Sequence, residues 1–216
     1  MLYVYAFVAA PATLPDVSGI DDALLRSERV GELTAVVSEH EARFEVSETA
    51  ILAHARVVEA LAAANEAVLP ARFGAMHRDA AALREAIADR RELVDALVRV
   101  RGCVELGLRV LAGPSPPSEA SSGAAYMRAR LDHRRELERL ANELHAPLAR
   151  LSREATLSVG TTPRLLLTAA YLVGRGQVEA FQHQLDALQS RHPDLGIVCT
   201  GPWPPYSFAM AERGGA

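Results

Sequence analysis

The sequence of 216 residues contains no lysine, so all 23 of its basic side chains are arginines. This absence excludes a phosphate-binding loop of the P-loop type, which requires a lysine beside its second glycine. The 27 acidic residues outnumber the arginines and give a formal net charge of −4. That balance argues against a protein that binds nucleic acid by neutralising phosphates.

Cysteine is also scarce, since Cys103 and Cys199 are the only two and cannot form a disulfide framework. The seven histidines form no HxxxH or HExxH pair, and no CxxC pair is present. His54 lies on the apolar face of a predicted helix, where a packed, hydrogen-bonded histidine is favoured over a metal ligand. GxGxxG and GxSxG motifs are missing as well. We therefore expect no metal, no cofactor and no enzymatic activity.

Long apolar runs are missing too. No uncharged apolar stretch reaches the roughly 18 residues that a membrane-spanning helix requires. The apolar N-terminal stretch ends at Pro11 and has no basic residue before it, unlike a secretory signal. We expect a protein that stays in the cytoplasm and does not enter a membrane.

The first half of the chain alternates predicted strands and helices. Leu2 to Ala9 is apolar on both faces and rich in Tyr, Val and Phe, which predicts a central strand covered on both sides. Ser47 can cap a helix that has Glu48 in its first turn. The complete prediction for this half is a strand over 2–9, a short helix over 21–29, a strand over 32–39, a helix after Ser47, a short strand over 66–69 and one long helix over 79–98. The helix after Ser47 has Ile51, Ala55, Val58 and Leu61 inward. The long helix has Leu83, Ile87, Val94 and Leu97 on one side.

The second half follows a more regular order. Strands are predicted over 103–111, 155–159, 165–173 and 195–200, with helices beginning near Ala124 and Gln177. The order strand, helix, strand, strand, helix, strand is that of the ferredoxin-like βαββαβ unit. We therefore predict an α+β protein of two α/β domains, over 1–100 and 101–216, the second ferredoxin-like with a long charged helix. The low-complexity segment Gly113–Gly123 is then a loop inside the second domain.

Charged side chains crowd the first helix of this second half between residues 132 and 143. Pairs four residues apart, Arg134 with Glu138 and Arg139 with Glu143, contribute roughly 0.3 kcal/mol each on a solvated helix face. The same run also suits a helix that docks on another protein, and the sequence leaves both interpretations open. The expected inward side chains are Leu137, Leu140, Leu144 and Leu148.

Two segments differ from ordinary scaffold sequence. Val68–Gly74 (VLPARFG) holds Arg72 and Phe73 between a proline and a glycine. Thr200–Phe208 (TGPWPPYSF) contains the only tryptophan and is too rich in proline to continue a central strand. It can serve as a C-terminal lid whose Trp203 and Phe208 close the core, or as a preordered aromatic docking surface. The two roles are compatible.

VLPARFG and TGPWPPYSF, in this order and at these places in the chain, resemble the gas vesicle protein F/L family. Three further stretches fit that family: Tyr3-Val4-Tyr5, residues 54–61, and Ala170–Val173 with Phe181. The resemblance covers nearly the whole chain, and residues 113–150 are its least matched part.

The resemblance implies a two-domain α/β architecture with a ferredoxin-like part. It also implies a structural or assembly role in gas vesicles, the hollow protein shells that give microbes buoyancy. Members of the family are minor components that associate with the small, hydrophobic shell protein (GvpA-type) and with other accessory proteins. The family has no known catalytic residues, and it implies a location at the gas vesicle, in the cytoplasm.

We therefore expect a non-enzymatic accessory or minor structural protein that binds the shell protein during gas vesicle assembly. The residues expected to be decisive for interaction or fold are Arg72, Phe73, Gly74, Trp203, Pro204, Tyr206 and Phe208. The alternative is a small-molecule-binding regulatory module, because ferredoxin-like folds often hold ligands. Neither interpretation includes nucleic acid or membrane as a partner.

Overall fold

Two separate β-sheets organise the chain. The computed structural model describes residues 1–111, 122–160 and 164–209. The strands are β1 (Leu2–Ala9), β2 (Arg26–Val30), β3 (Leu33–Glu39), β4 (Val68–Pro70), β5 (Met76–His77), β6 (Cys103–Leu111), β7 (Glu154–Val159), β8 (Leu165–Gly174) and β9 (Gly196–Trp203). The helices are α1 (Glu48–Ala64), α2 (Ala80–Ile87), α3 (Arg91–Val100), α4 (Gly123–Ala149), α5 (Val178–Arg191) and α6 (Tyr206–Ala209).

β1 is the central strand of the first sheet, whose order is β2-β3-β1-β4, and β5 also pairs with β1. All of these pairings are antiparallel. Six of the eight residues of β1 are buried, and Tyr3, Tyr5 and Ala6 have no exposed surface. The prediction of a central strand covered on both faces is therefore confirmed.

The helix α1 begins where the sequence predicts. The Ser47 hydroxyl accepts a hydrogen bond from the Ala50 N–H at 3.2 Å, which confirms the predicted cap. Val58 and Leu61 are buried as predicted, but Ile51 is 46% exposed. The prediction for Ile51 is wrong because the buried stripe passes through the neighbouring Ala50 instead.

The predicted helix over 21–29 is also wrong. A single 3-10 turn covers Ile20–Asp22, and Arg26–Val30 form the edge strand β2. Gly31, with a φ of +61°, lies in the tight connection to β3, where Val30 is opposite Leu33. Pairing with β3 supplies the backbone hydrogen bonds that a helix would have formed internally, so tertiary context overrides local propensity.

The single long helix predicted over 79–98 consists of two helices, since α2 ends at Ile87 and α3 begins at Arg91. Ile87 and Leu93 are both buried. Their spacing of six residues does not fit one continuous helix of 3.6 residues per turn. The break between the helices lets both apolar stripes reach the core, and Val94, predicted inward, is only half-buried.

The elements from β6 to β9 follow the predicted order, β6-α4-β7-β8-α5-β9. Their sheet has the order β7-β8-β6-β9, and β7 pairs with β8 in antiparallel orientation. Leu106, Leu167 and Phe181 belong to the core cluster on this sheet. β9 continues three residues beyond the predicted strand, through Pro202 to Trp203. A proline is tolerated there because β9 is an edge strand.

The helix α4 is 27 residues long and packs through its C-terminal half. Leu144 and Leu148 are buried, and Leu137 and Leu140 are partly buried against the same cluster, as predicted. Residues 122–136 are exposed apart from one half-buried position.

Both predicted ion pairs on this helix are present. Arg134 contacts Glu138 at 2.9 Å, and Arg139 contacts Glu143 at 3.4 Å. All four side chains are at least 43% exposed, so water screens the pairs and each contributes little to stability. This is the expected solvated face, and a docking role for the helix remains a prediction.

The contacts divide the chain into two compact units, one over Met1–Val104 with Trp203–Ala216 and the other over Glu105–Pro202. Residues 203–209 belong to the first unit because α6 packs against α3 and β4. The domains over 1–100 and 101–216 remain a prediction that differs from these units chiefly in the placement of that segment. The predicted loop Gly113–Gly123 lies outside the described residues except for Ser122 and Gly123 at the start of α4.

Candidate functional site

The segment VLPARFG forms β4 and a tight loop that follows it. The Ala71 N–H donates to the Tyr5 carbonyl at 2.9 Å, which continues the pairing of β4 with β1. The Ala75 N–H then donates to the Arg72 carbonyl at 3.1 Å and closes the loop. Gly74 has a φ of +86°, a conformation that glycine adopts without the strain of a side chain. The loop therefore has a defined shape.

Tyr3, on β1, holds this loop in place through its hydroxyl group. Its hydroxyl accepts a hydrogen bond from the Gly74 N–H at 3.2 Å and shares a second one with His54 Nδ1 at 2.8 Å. Tyr3 is completely buried, and this burial raises the pKa of its hydroxyl. The Phe73 ring packs against both side chains, with centroids 6.2 Å from Tyr3 and 5.8 Å from His54. Phe73 and Gly74 thus hold the loop to the core.

His54 is the packed, hydrogen-bonded histidine that the sequence predicts. It is 4% exposed, and its ring stacks on Tyr5 at a centroid distance of 5.7 Å. Burial lowers the pKa of His54 to about 4, so the ring is neutral at pH 7. The backbone of Ala71 opposes this lowering in part, although His54 Nε2 has no hydrogen-bond partner among the described residues. His54 therefore supports the loop as a neutral ring.

Arg72 differs from its neighbours in this loop. It is exposed, and its guanidinium has no hydrogen-bond or ion-pair partner among the described residues. Its backbone is fixed by the hydrogen bond from Ala75. The loop therefore presents a permanent positive charge from a defined position.

The terminal segment Trp203–Ala209 contains both exposed and buried side chains. Trp203 is 46% exposed and Tyr206 is 42% exposed, whereas Phe208 is 2% exposed. Pro204 is buried, and Arg99 of α3 donates from Nη2 to the Phe208 carbonyl at 3.0 Å. Phe208 is thus buried, as the lid role requires, whereas Trp203 and Tyr206 keep part of their aromatic surface exposed.

The structure brings the loop and the end of the terminal segment together. Pro70, Ala71, Arg72 and Ala209 line one cavity of about 190 Å³ in the first unit. This is possible because α6 packs beside β4. Trp203, Tyr206 and Phe208 do not line this cavity, so the predicted site residues form two neighbouring features and not one cluster.

Another cleft of the first unit, of about 550 Å³, has charged walls, and most of their charged side chains form ion pairs. Arg26 contacts Glu39 at 2.8 Å, and Arg78 contacts Asp79 at 2.9 Å. Glu28 of this cleft pairs with Arg84, so among the charged side chains of its lining only Glu41 has no ion pair among the described residues. The cleft therefore gives the regulatory-module alternative little specific support.

The described part of the chain holds no group of three or more His, Cys, Asp and Glu side chains that could bind a metal ion. None of its helices is both long enough and apolar enough to cross a membrane.

The sequence patterns do not identify the residues that hold the two segments in place. Tyr3 is 71 positions from Gly74, and Arg99 is 109 positions from Phe208. No spacing rule connects residues so far apart. The apolar face of α1 indicated that His54 is packed, but it did not indicate the hydrogen bond to Tyr3.

Comparison with known proteins gives consistent results. The profile of the family described as gas vesicle synthesis protein GvpL/GvpF matches residues 1–210. Gas vesicle protein F2 of Halobacterium salinarum is 31% identical over 229 aligned positions, which cover 99% of this chain and 97% of that protein. Gas vesicle protein L of a Streptomyces species is 33% identical over 187 positions, which cover 74% of this chain and 69% of that protein. Both relatives are named as gas vesicle proteins and neither as an enzyme.

Solved structures agree with the fold. The crystal structure of the gas vesicle protein GvpF from Anabaena superposes with a TM-score of 0.77 at 18% identity, covering 100% of this chain and 98% of that one. The GvpF structure from Microcystis aeruginosa also gives a TM-score of 0.77, at 19% identity and with 97% and 99% coverage. Similarity at this identity establishes a shared fold of mixed helices and sheets. The family profile and the curated relatives go further: the chain belongs to the GvpL/GvpF family of gas vesicle synthesis proteins and has a role related to gas vesicles.

Proposed function

We propose that the protein is a non-enzymatic accessory or minor structural protein that binds the small shell protein (GvpA-type) during gas vesicle assembly. Family membership supports the gas vesicle role. The observation that carries the binding proposal is the exposure of Trp203 and Tyr206 on a segment fixed by buried neighbours. Other accessory proteins are further partners under this proposal, and its place of action is the gas vesicle, in the cytoplasm.

The physical argument starts from the shell subunit. A small hydrophobic protein exposes apolar surface before it polymerises, and such surface is prone to aggregation. A partner with aromatic side chains on a rigid support can cover that surface until assembly. Tryptophan and tyrosine are enriched at the energetic centres of interfaces.

The rigidity of the terminal segment strengthens the proposal. Phe208 is buried, Arg99 holds its carbonyl, and the Tyr206 N–H donates to the Pro204 carbonyl at 2.8 Å. Side chains held this way lose less conformational entropy on binding than side chains on a mobile tail. Trp203 and Tyr206 are therefore preorganised for contact.

We also propose that the elements β6 to β9 form a ferredoxin-like unit. The chain order β6-α4-β7-β8-α5-β9 has the βαββαβ pattern. The sheet order β7-β8-β6-β9 places the first and third strands at the centre, with the second and fourth at the edges.

The proposal is tested by co-purifying tagged protein with co-expressed shell protein, using an unrelated ferredoxin-like domain as the bait control. We expect the full chain to retain shell protein. Trp203→Ala should lower retention while the protein stays folded, because Trp203 is half exposed and its removal costs less stability than that of a fully buried aromatic side chain. Tyr126→Ala is the matched control, since Tyr126 is also 46% exposed but lies on α4.

Phe208→Ala separates folding from binding. Removing a buried Phe side chain usually costs about 3–5 kcal/mol, so this variant should unfold at a clearly lower temperature. Full retention of shell protein by a folded Trp203→Ala variant would contradict the proposed aromatic surface. No retention by the folded wild-type chain would contradict direct binding of shell protein.

A further inference from the structure

The cavity of about 190 Å³ in the first unit has an apolar interior and a basic opening. Val4, Leu69, Ile87 and Leu93 are among its walls, and all four are buried. The exposed Arg72 stands at its opening, and the half-buried Arg90 also lines it. His77 lines it too, but burial lowers the pKa of this histidine, so the positive charge comes from the two arginines.

The size of this cavity limits what it can hold. Clefts that bind cofactors or drug-sized molecules usually measure roughly 300–1,000 Å³. A cavity of about 150 Å³ lined by apolar side chains holds a molecule as large as benzene. A volume of about 190 Å³ therefore fits one branched aliphatic or aromatic side chain. Interfaces commonly use such a pocket for a single anchor residue of the partner.

The positive charge at the opening of the cavity favours a partner with negative charge. Among the residues that the structure describes, no acidic side chain lines the cavity. Arg90 is neutralised in part by Glu92, at 2.8 Å. The guanidinium of Arg72 has no partner among the described residues, although the whole chain has a net charge of −4. A carboxylate beside the inserted side chain would complement Arg72 with two parallel hydrogen bonds.

We propose that this cavity receives one apolar side chain from an acidic segment of the shell protein, and that a carboxylate next to this side chain pairs with Arg72. The inference rests on the proposed binding of shell protein and identifies a second contact, separate from Trp203. It also explains why Phe73 and Gly74 are anchored so firmly: they place Arg72 at the opening of the cavity.

The test uses the full chain and retention of co-expressed shell protein. Ala86→Leu narrows the cavity, because Ala86 lines it from an exposed position on α2. Ala81→Leu is its matched control, since Ala81 is exposed on the same helix but does not line the cavity. Ala86→Leu should reduce retention about tenfold, as expected for loss of an anchor, while Ala81→Leu stays within about twofold of wild type.

Charge is tested separately. Arg72→Gln should reduce retention about tenfold, and Arg72→Glu should reduce it further because a second negative charge repels the carboxylate. Arg56→Gln is the matched control, since Arg56 is an exposed arginine on α1. All variants should melt within a few degrees of wild type, because each changed side chain is exposed.

The outcomes distinguish the two proposals. If the wild-type chain retains no shell protein, binding itself is wrong. If the wild-type chain retains shell protein but Ala86→Leu and Arg72→Gln retain as much, the cavity is not the contact. If Ala86→Leu loses retention of shell protein while Arg72→Glu retains as much as wild type, no carboxylate pairs with Arg72. The part of the inference that concerns the acidic partner is then overturned.

Discussion

Acidification should destabilise the first unit through His54. The ring is neutral in the folded protein because burial lowers the pKa of His54 to about 4. In the unfolded chain the same ring titrates near pH 6.5. Between these two values the unfolded state binds one more proton than the folded state, so stability is complete above pH 6.5 and is lost as the pH falls toward 4.

The size of the effect follows from the two pKa values. A gap from 6.5 to about 4, at roughly 1.4 kcal/mol per pKa unit, is worth about 3 kcal/mol. Nearly all of this should be lost between pH 7 and pH 4. A loss of about 3 kcal/mol is a large fraction of the stability of an ordinary domain.

The assay is urea unfolding of wild type and of His54→Gln at several pH values from 7 to 4. Burial also lowers the pKa values of His40, His77 and His145, so their titration contributes to the pH dependence of both proteins. The difference between the two proteins isolates His54. The variant should be less stable at pH 7 and should lose about 3 kcal/mol less on acidification. Parallel curves for the two proteins would refute the argument that burial keeps His54 neutral.

Three further predictions concern stability, measured by urea or thermal unfolding. Gly74→Ala should cost about 1–2 kcal/mol of stability because Gly74 has a φ of +86°. Gly176→Ala, at a site with similar open space, should change stability by less than about 0.5 kcal/mol. Equal effects of the two substitutions would show that the loop conformation is not strained for alanine. Ser47→Ala should cost about 1 kcal/mol through loss of the α1 cap, and no change would mean that water replaces it. Leu148→Ala should cost about 2–5 kcal/mol, against about 0.5 kcal/mol or less for Leu131→Ala, which is 52% exposed on the same helix; similar costs would contradict the observed packing of α4.

Local sequence patterns were sufficient to predict the elements in which a single feature, such as an apolar face, a cap residue or helical spacing, identifies the structure. β1 was predicted because both of its faces are apolar, and β6 was predicted with the bounds that it has in the structure. Ser47 was identified as a cap from its own chemistry. The inward leucines of α4 followed from helical spacing.

The same reasoning failed where contacts with residues distant in the chain determine the local structure. Residues 26–30 form a strand because β3 is available to pair with them, and local propensity contains no information about that partner. The break between Ile87 and Arg91 depends on which side chains reach the core, and helical spacing alone did not reveal it. Ile51 lies at the margin of the apolar stripe, where a small rotation of the helix exposes it.

The candidate site shows the same division. Composition made Trp203 and Arg72 conspicuous, and the motifs around them carried the resemblance to the family. The sequence did not show that Trp203 is exposed while Phe208 is buried, because both are aromatic residues of one short segment. It also did not show that Arg72 stands at the opening of a cavity to which Ala209 contributes.

By itself, the sequence determined the family, the overall α+β class and most of the helices and strands, because each of these depends on neighbouring residues or on short motifs. Only the tertiary structure decided which side chains are available to a partner. Exposure, the pKa of His54, the anchoring of Gly74 by Tyr3 and the walls of the cavity all depend on contacts between residues far apart in the chain. Such contacts form because the burial of apolar surface stabilises many of them together, and no local sequence pattern predicts them.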